Sequence, residues 1–200
     1  MAKRMYRLCM EGIVCACGAS ALELYRSSKR LIPTLLEKPR TGKVAGLMVP
    51  PRQLLEDDMT ARGVAKQPYH VLVDGNHGYN PRRDIHAVAC YHPLPPRSLI
   101  KIDKGFWVTS PEFTFIQICA DEDLSDFDII CLGYELCGTY VLDDSWDGLT
   151  CIDEPLTSTE KIGRLINSIH RVPGIKRARN LIKHVHDLSN SPMETILAML

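Results

Sequence analysis

Nowhere in these 200 residues does an apolar run approach the roughly twenty that a membrane span needs. The basic start Met1-Ala2-Lys3-Arg4 leads into an apolar segment broken by Arg7, Glu11 and Gly12. A signal peptide is therefore not expected, and the cytoplasm is the expected setting. None of the eight cysteines forms a Cys-x-x-Cys pair, and Cys15-Ala16-Cys17 has no matching second pair. That argues against a structural zinc site. Walker-type and dinucleotide glycine motifs are missing, as is His-Glu-x-x-His. No cofactor, no metal and no small-molecule substrate are expected. There is no internal repeat and no low-complexity tract.

What is present describes a globular chain of one or two domains, with 45% hydrophobic and 24% charged residues. Most cysteines sit in apolar runs such as Ile118-Cys119-Ala120 and Ile130-Cys131-Leu132, where a reduced thiol acts as a small hydrophobe. The net charge of zero conceals segregation. Residues 1–66 hold 12 Lys/Arg against 6 Asp/Glu, whereas residues 121–160 hold 12 acids and no Lys or Arg. Residues 161–200 return to 7 basic against 2 acidic residues. Such blocks either present patches to partners of opposite charge or pair internally, basic ends with acidic middle.

The pattern predicts an α+β chain, a small mixed or antiparallel sheet followed by a helical C-terminal half. Residues 13–17 read as a buried strand and Ala19–Arg30 as a helix. Prolines and glycines make residues 33–50 irregular, and Pro51–Arg62 can form a helix ended by Gly63. Tyr69–Val73, Asp84–His92, Ser98–Asp103 and Phe106–Thr109 read as strands, with a left-handed glycine expected at Gly105. Ser110-Pro111-Glu112 opens a helix that is apolar on most sides. Ser125 caps the next, closed by Gly138, and Thr157-x-x-Glu160 forms a capping box for another. The histidines at 70, 77, 86 and 92 fall in the strand-rich stretch, where a half-exposed face accommodates them without a ligand role.

Pro173–Leu188 reads as a basic amphipathic helix. Ile175, Ala178, Leu181, Ile182, Val185 and Leu188 recur at helical spacing, and Lys176, Arg177, Arg179, Lys183 and His184 fill the other arc. Ser191-Pro192-Met193-Glu194 opens a last helix with a second capping box. Its stripe of Met193, Ile196, Leu197 and Leu200 needs a surface to cover. Either this helix docks back on the chain or it begins a further module.

Four pieces, in order, resemble the abortive-infection (AbiEi-like) antitoxin or transcriptional-regulator family, including relatives fused to endonuclease domains of the very-short-patch-repair type. They are Pro68–Val73, Trp107–Phe115 with its Val-Thr-Ser-Pro junction, Pro173–Arg179, and Ser191–Glu194. The resemblance covers residues 68–200, and residues 1–66 show no winged helix-turn-helix pattern. It implies an α+β core over 67–188, preceded by a strand and helix segment over 1–66 and followed by the opening helix of a truncated nuclease module over 189–200. It also implies that Glu194 stands where the fused nucleases place a glutamate supporting a metal-dependent site. Such sites commonly add a lysine two residues after an acid, and no Asp-x-Lys or Glu-x-Lys occurs in this chain. The capping box accounts for Glu194 on its own terms.

The candidate nucleic-acid contacts are Lys176, Arg177, Arg179 and Lys183, with Arg26, Lys29 and Arg30 near the start. Cations along a helix face can neutralise phosphates. The expected function is a non-catalytic regulatory or DNA-associated module of an antitoxin-like defence system. Its expected partners are DNA and a cognate toxin or nuclease module, with no membrane. Two alternatives are a substrate-positioning part of a very-short-patch-repair-like endonuclease, and a protein-interaction antitoxin that uses the acidic block without binding DNA.

Overall fold

The computed structural model describes residues 12–28, 34, 37–75, 82–143 and 148–198. The chain is α+β, a six-stranded mixed sheet followed by a helical half. Strand β1 (Val14–Ala16) leads into helix α1 (Gly18–Ser27). Then come β2 (Arg40–Thr41), α2 (Arg52–Thr60), β3 (Tyr69–Asp74), β4 (Ile85–Cys90), β5 (Leu99–Lys101) and β6 (Phe106–Thr109). The sheet order is β2-β5-β6-β1-β3-β4. β1 runs parallel to β6 and antiparallel to β3, while β3 and β4 are parallel.

The apolar run of residues 13–17 thus forms a central strand, as a segment covered on both faces should. Cys15, Ala16 and Cys17 are fully buried. Residues on either side of positions 66 and 67 share this sheet. The first segment is stitched into the same sheet as β3 to β6, because its short strand can satisfy its backbone only between them. The β5–β6 turn differs from expectation. Gly105 is not among the described glycines with positive φ. Its N–H instead donates to Asp103 Oδ1 at 2.9 Å, an Asx-type turn.

Helix α3 (Pro111–Ile118) follows β6 through the cap expected of it, with Ser110 Oγ accepting from Phe113 N at 3.3 Å. It is the central helix of the second half and packs against α1, α4 (Asp126–Cys137), α5 (Thr159–Ser168) and α6 (Ile175–Leu181). Phe113, Phe115, Ile116 and Ile118 are all buried, at about 2 kcal/mol of apolar transfer each. Glu112 is buried with them. Its Oε1 accepts from Thr157 Oγ1 at 2.8 Å, and Oε2 faces Arg40 Nη1 at 3.4 Å.

That bond moves the next cap along by one residue. With Thr157 turned to Glu112, Ser158 Oγ takes Lys161 N at 3.3 Å and opens α5. Ser125 and Asp128 complete a reciprocal box at α4. Gly138 ends α4 with φ at −93°, so it is not a left-handed cap. It is glycine for want of space, since a Cβ there would lie 2.7 Å from both Ser189 O and Tyr134 O. The hairpin β7 (Tyr140–Leu142) and β8 (Leu149–Cys151) follows.

The helix expected over Pro173–Leu188 is shorter. It runs Ile175–Leu181, tightens into a 3-10 turn over Ile182–His184 and becomes extended at Val185. Ala178, Leu181 and Val185 still bury the apolar side, whereas Leu188 does not. Helix α7 (Pro192–Ala198) closes the described chain and packs on α4. Among the described residues no helix is long and apolar enough to cross a membrane.

Candidate nucleic-acid interface

From Lys161 to His186 the sequence holds seven Lys/Arg and no Asp or Glu. The structure folds this stretch into α5, a turn and α6. The turn is fixed by Gly174, at φ +81°, where a Cβ would meet Ile116 O at 2.4 Å. Only glycine permits both that backbone and that approach. The start of α6 is therefore held against the end of α3, and the basic residues are spread around this anchored corner.

They do not all face outward. Arg177 Nε donates to Asp126 Oδ1 at 2.7 Å, Nη1 to Asp121 O at 2.8 Å, and Nη2 to Leu124 O at 2.6 Å. Its guanidinium closes the acidic loop ahead of α4 onto α6. Arg26 is engaged in the same manner, with Nε on Glu135 Oε1 at 2.8 Å and Nη2 on Glu135 Oε2 at 2.6 Å. Burial alone would lower the Arg26 pKa, but the bonds and charge of Glu135 outweigh it and raise it. For these two arginines, internal pairing with the acidic block is the outcome. Lys29 and Arg30 lie outside the described residues.

Lys176, Arg179 and Lys183 are exposed. Arg179 Nη2 reaches Ile166 O on α5 at 3.5 Å, which joins the faces of the two helices. Lys161, Arg164 and Arg171 are exposed as well, and sequence reasoning centred on α6 passed over them. The signal that would have found them was the missing acids across 161–186, not any single helix. Arg171, Lys176 and Arg177 line an open groove of about 670 Å³ between this turn and the end of α3, with Glu122 also in its lining.

Glu194 caps rather than reaches into a cleft. Its Oε2 accepts Asn190 N at 2.8 Å while Ser191 Oγ accepts Glu194 N at 3.2 Å. The reciprocal pair is the expected box, displaced by one residue on its outer side. Among the described residues no group of three His, Cys, Asp or Glu side chains is placed to hold a metal ion. His70 and His86 sit opposite each other on β3 and β4, their rings stacked at 4.6 Å. His92 stands beyond the strand, its carbonyl accepting from Cys90 Sγ at 3.2 Å, and His77 lies outside the described residues.

Cys15, Cys17, Cys119 and Cys137 are free and buried. Burial drives their thiol pKa values upward, that of Cys119 to about 12. Protonated thiols of this kind are packing groups, not nucleophiles.

No protein family, curated protein or solved structure matches this chain.

Proposed function

We propose that this chain is a non-catalytic, DNA-associated module that grips the phosphate backbone through α5, the Gly174 turn and α6. The observation that carries the reading is the acid-free stretch 161–186, in which Arg177 turns its donors inward and six other Lys/Arg stay exposed, Arg164 in a surface pair with Glu160. Cations spread over two packed helices and a turn suit a backbone that presents phosphates at regular spacing, and they read no bases by themselves. The resemblance of residues 68–200 to AbiEi-like regulators and their nuclease-fused relatives supports a place in a bacterial defence or regulatory system. The lack of any acid-x-Lys pair in the sequence supports a role without chemistry of its own. Seven unpaired cysteines among the described residues support a reducing, cytoplasmic setting.

The test is a salt-titrated binding assay with a short duplex. Five phosphate contacts, leaving out Arg164, give a slope of log affinity on log salt of about −4.5. Lys176→Glu with Lys183→Glu should lower affinity for every sequence alike and reduce that slope by about 2. Arg177→Gln belongs to the other class, loosening the fold rather than removing a phosphate contact. Absence of binding at low salt, or unchanged affinity in the double variant, overturns the reading.

A further inference from the structure

The last helix lies on the face that its sequence pattern would not choose. Its buried side chain is Thr195, 1% exposed, whose Oγ1 lies 3.2 Å from Tyr140 Oη, 3.0 Å from Ser189 Oγ and 3.2 Å from Ser191 O. Met193 and Leu197 are each 65% exposed, Ile196 38%, and Leu188 just before the helix 61%. Among the described residues six large hydrophobic side chains are exposed, and these are four of them. Apolar side chains clustered in this way mark an interaction surface.

The surroundings give the partner its chemistry. Residues 187–198 carry Asp187 and Glu194 and no Lys or Arg. Tyr140, which holds Thr195, begins the β7–β8 hairpin, just after which Asp153 and Glu154 are exposed. We propose that this face docks an amphipathic helix of a partner protein, apolar along its centre and rimmed with Lys and Arg. Helix-in-groove binding supplies the apolar contact, and the acidic border selects the partner's charge. A second copy of the chain meets neither condition. Pairing α7 with α7 brings the same acids together, and the basic helix α6 already buries Ala178, Leu181 and Val185 in its own fold. The surface is distinct from the phosphate-binding face, and its test does not depend on that reading.

The probe is a fluorescent synthetic peptide of about 18 residues, long enough to hold a helix, with leucines at helical spacing and lysines elsewhere. A matched peptide carries glutamates in place of the lysines. Anisotropy titration with the full chain should show the lysine peptide binding, more weakly as salt rises, and the glutamate peptide failing to bind. Met193→Ser with Leu197→Ser alters two exposed side chains and leaves Thr195 and both caps in place. It should weaken the lysine peptide about ten-fold or more, while duplex affinity and thermal stability stay unchanged. Equal affinity in the double variant, or equal binding of the two peptides, overturns the proposal. So does sedimentation showing that the chain dimerises and that the double variant does not, since the face then belongs to a second copy.

Discussion

Arg26 and Glu135 stand 109 residues apart in sequence and meet as a two-bond fork, with Glu135 Oε1 also accepting Leu142 N at 3.0 Å. One carboxylate thus ties α1, α4 and β7 together. Its side chain is 2% exposed, so it depends on Arg26 for compensation. Arg26→Met should cost about 3 kcal/mol in urea unfolding, because it strands a buried charge. Arg26→Lys should recover only part of that, since an ammonium cannot form the parallel pair of bonds. A loss below about 1 kcal/mol in the methionine variant would show that Glu135 protonates or finds water instead.

Gly174→Ala tests the corner on which the basic helices turn. The residue has φ of +81° and an ideal Cβ 2.4 Å from Ile116 O, so strain and a backbone clash act together. A loss of about 2–3 kcal/mol is expected, read as a lower urea midpoint at constant slope. Wild-type stability in this variant would mean that α6 can begin away from the end of α3.

Acid should weaken the fold through His70. Burial, and then the neighbouring His86, hold its imidazole below the ordinary 6.5, against an opposing pull from Asp121. The unfolded chain therefore takes up a proton that the folded chain resists. The contribution is complete above pH 6.5 and is lost as pH falls through the lower folded value. Unfolding free energy measured from neutral pH downward should decline, and His70→Gln should make the decline shallower. An identical pH profile in the variant would remove His70 from the account.

The parts of the fold that announced themselves are those governed by local rules. Ser110-Pro111, Ser125 and Ser191 read as helix starts because a hydroxyl acceptor and a fixed proline φ act within one turn. The strands at Tyr69 and Phe106 read from β-branched and aromatic runs alone. What the pattern could not show was decided at long range. Thr157 left its cap for Glu112, a contact across 45 residues that no window contains. Arg26 and Arg177 looked like their exposed basic neighbours until the fold set Glu135 and Asp126 beside them. Periodicity showed that the apolar stripe of α7 needs a cover but not which side the fold would bury, and a tyrosine and two serines claimed Thr195 instead.

Placing β1 at the centre of the sheet has a cost in time. Val14 waits for Phe106 and Ala16 for Val71, so β1 is bracketed only after both of its neighbours have been synthesised. Assembly is consequently ruled by closure of long loops and proceeds slowly for a chain of this size. A nascent or truncated product that stops short of Phe106 leaves an apolar strand edge bare, ready to pair with another chain.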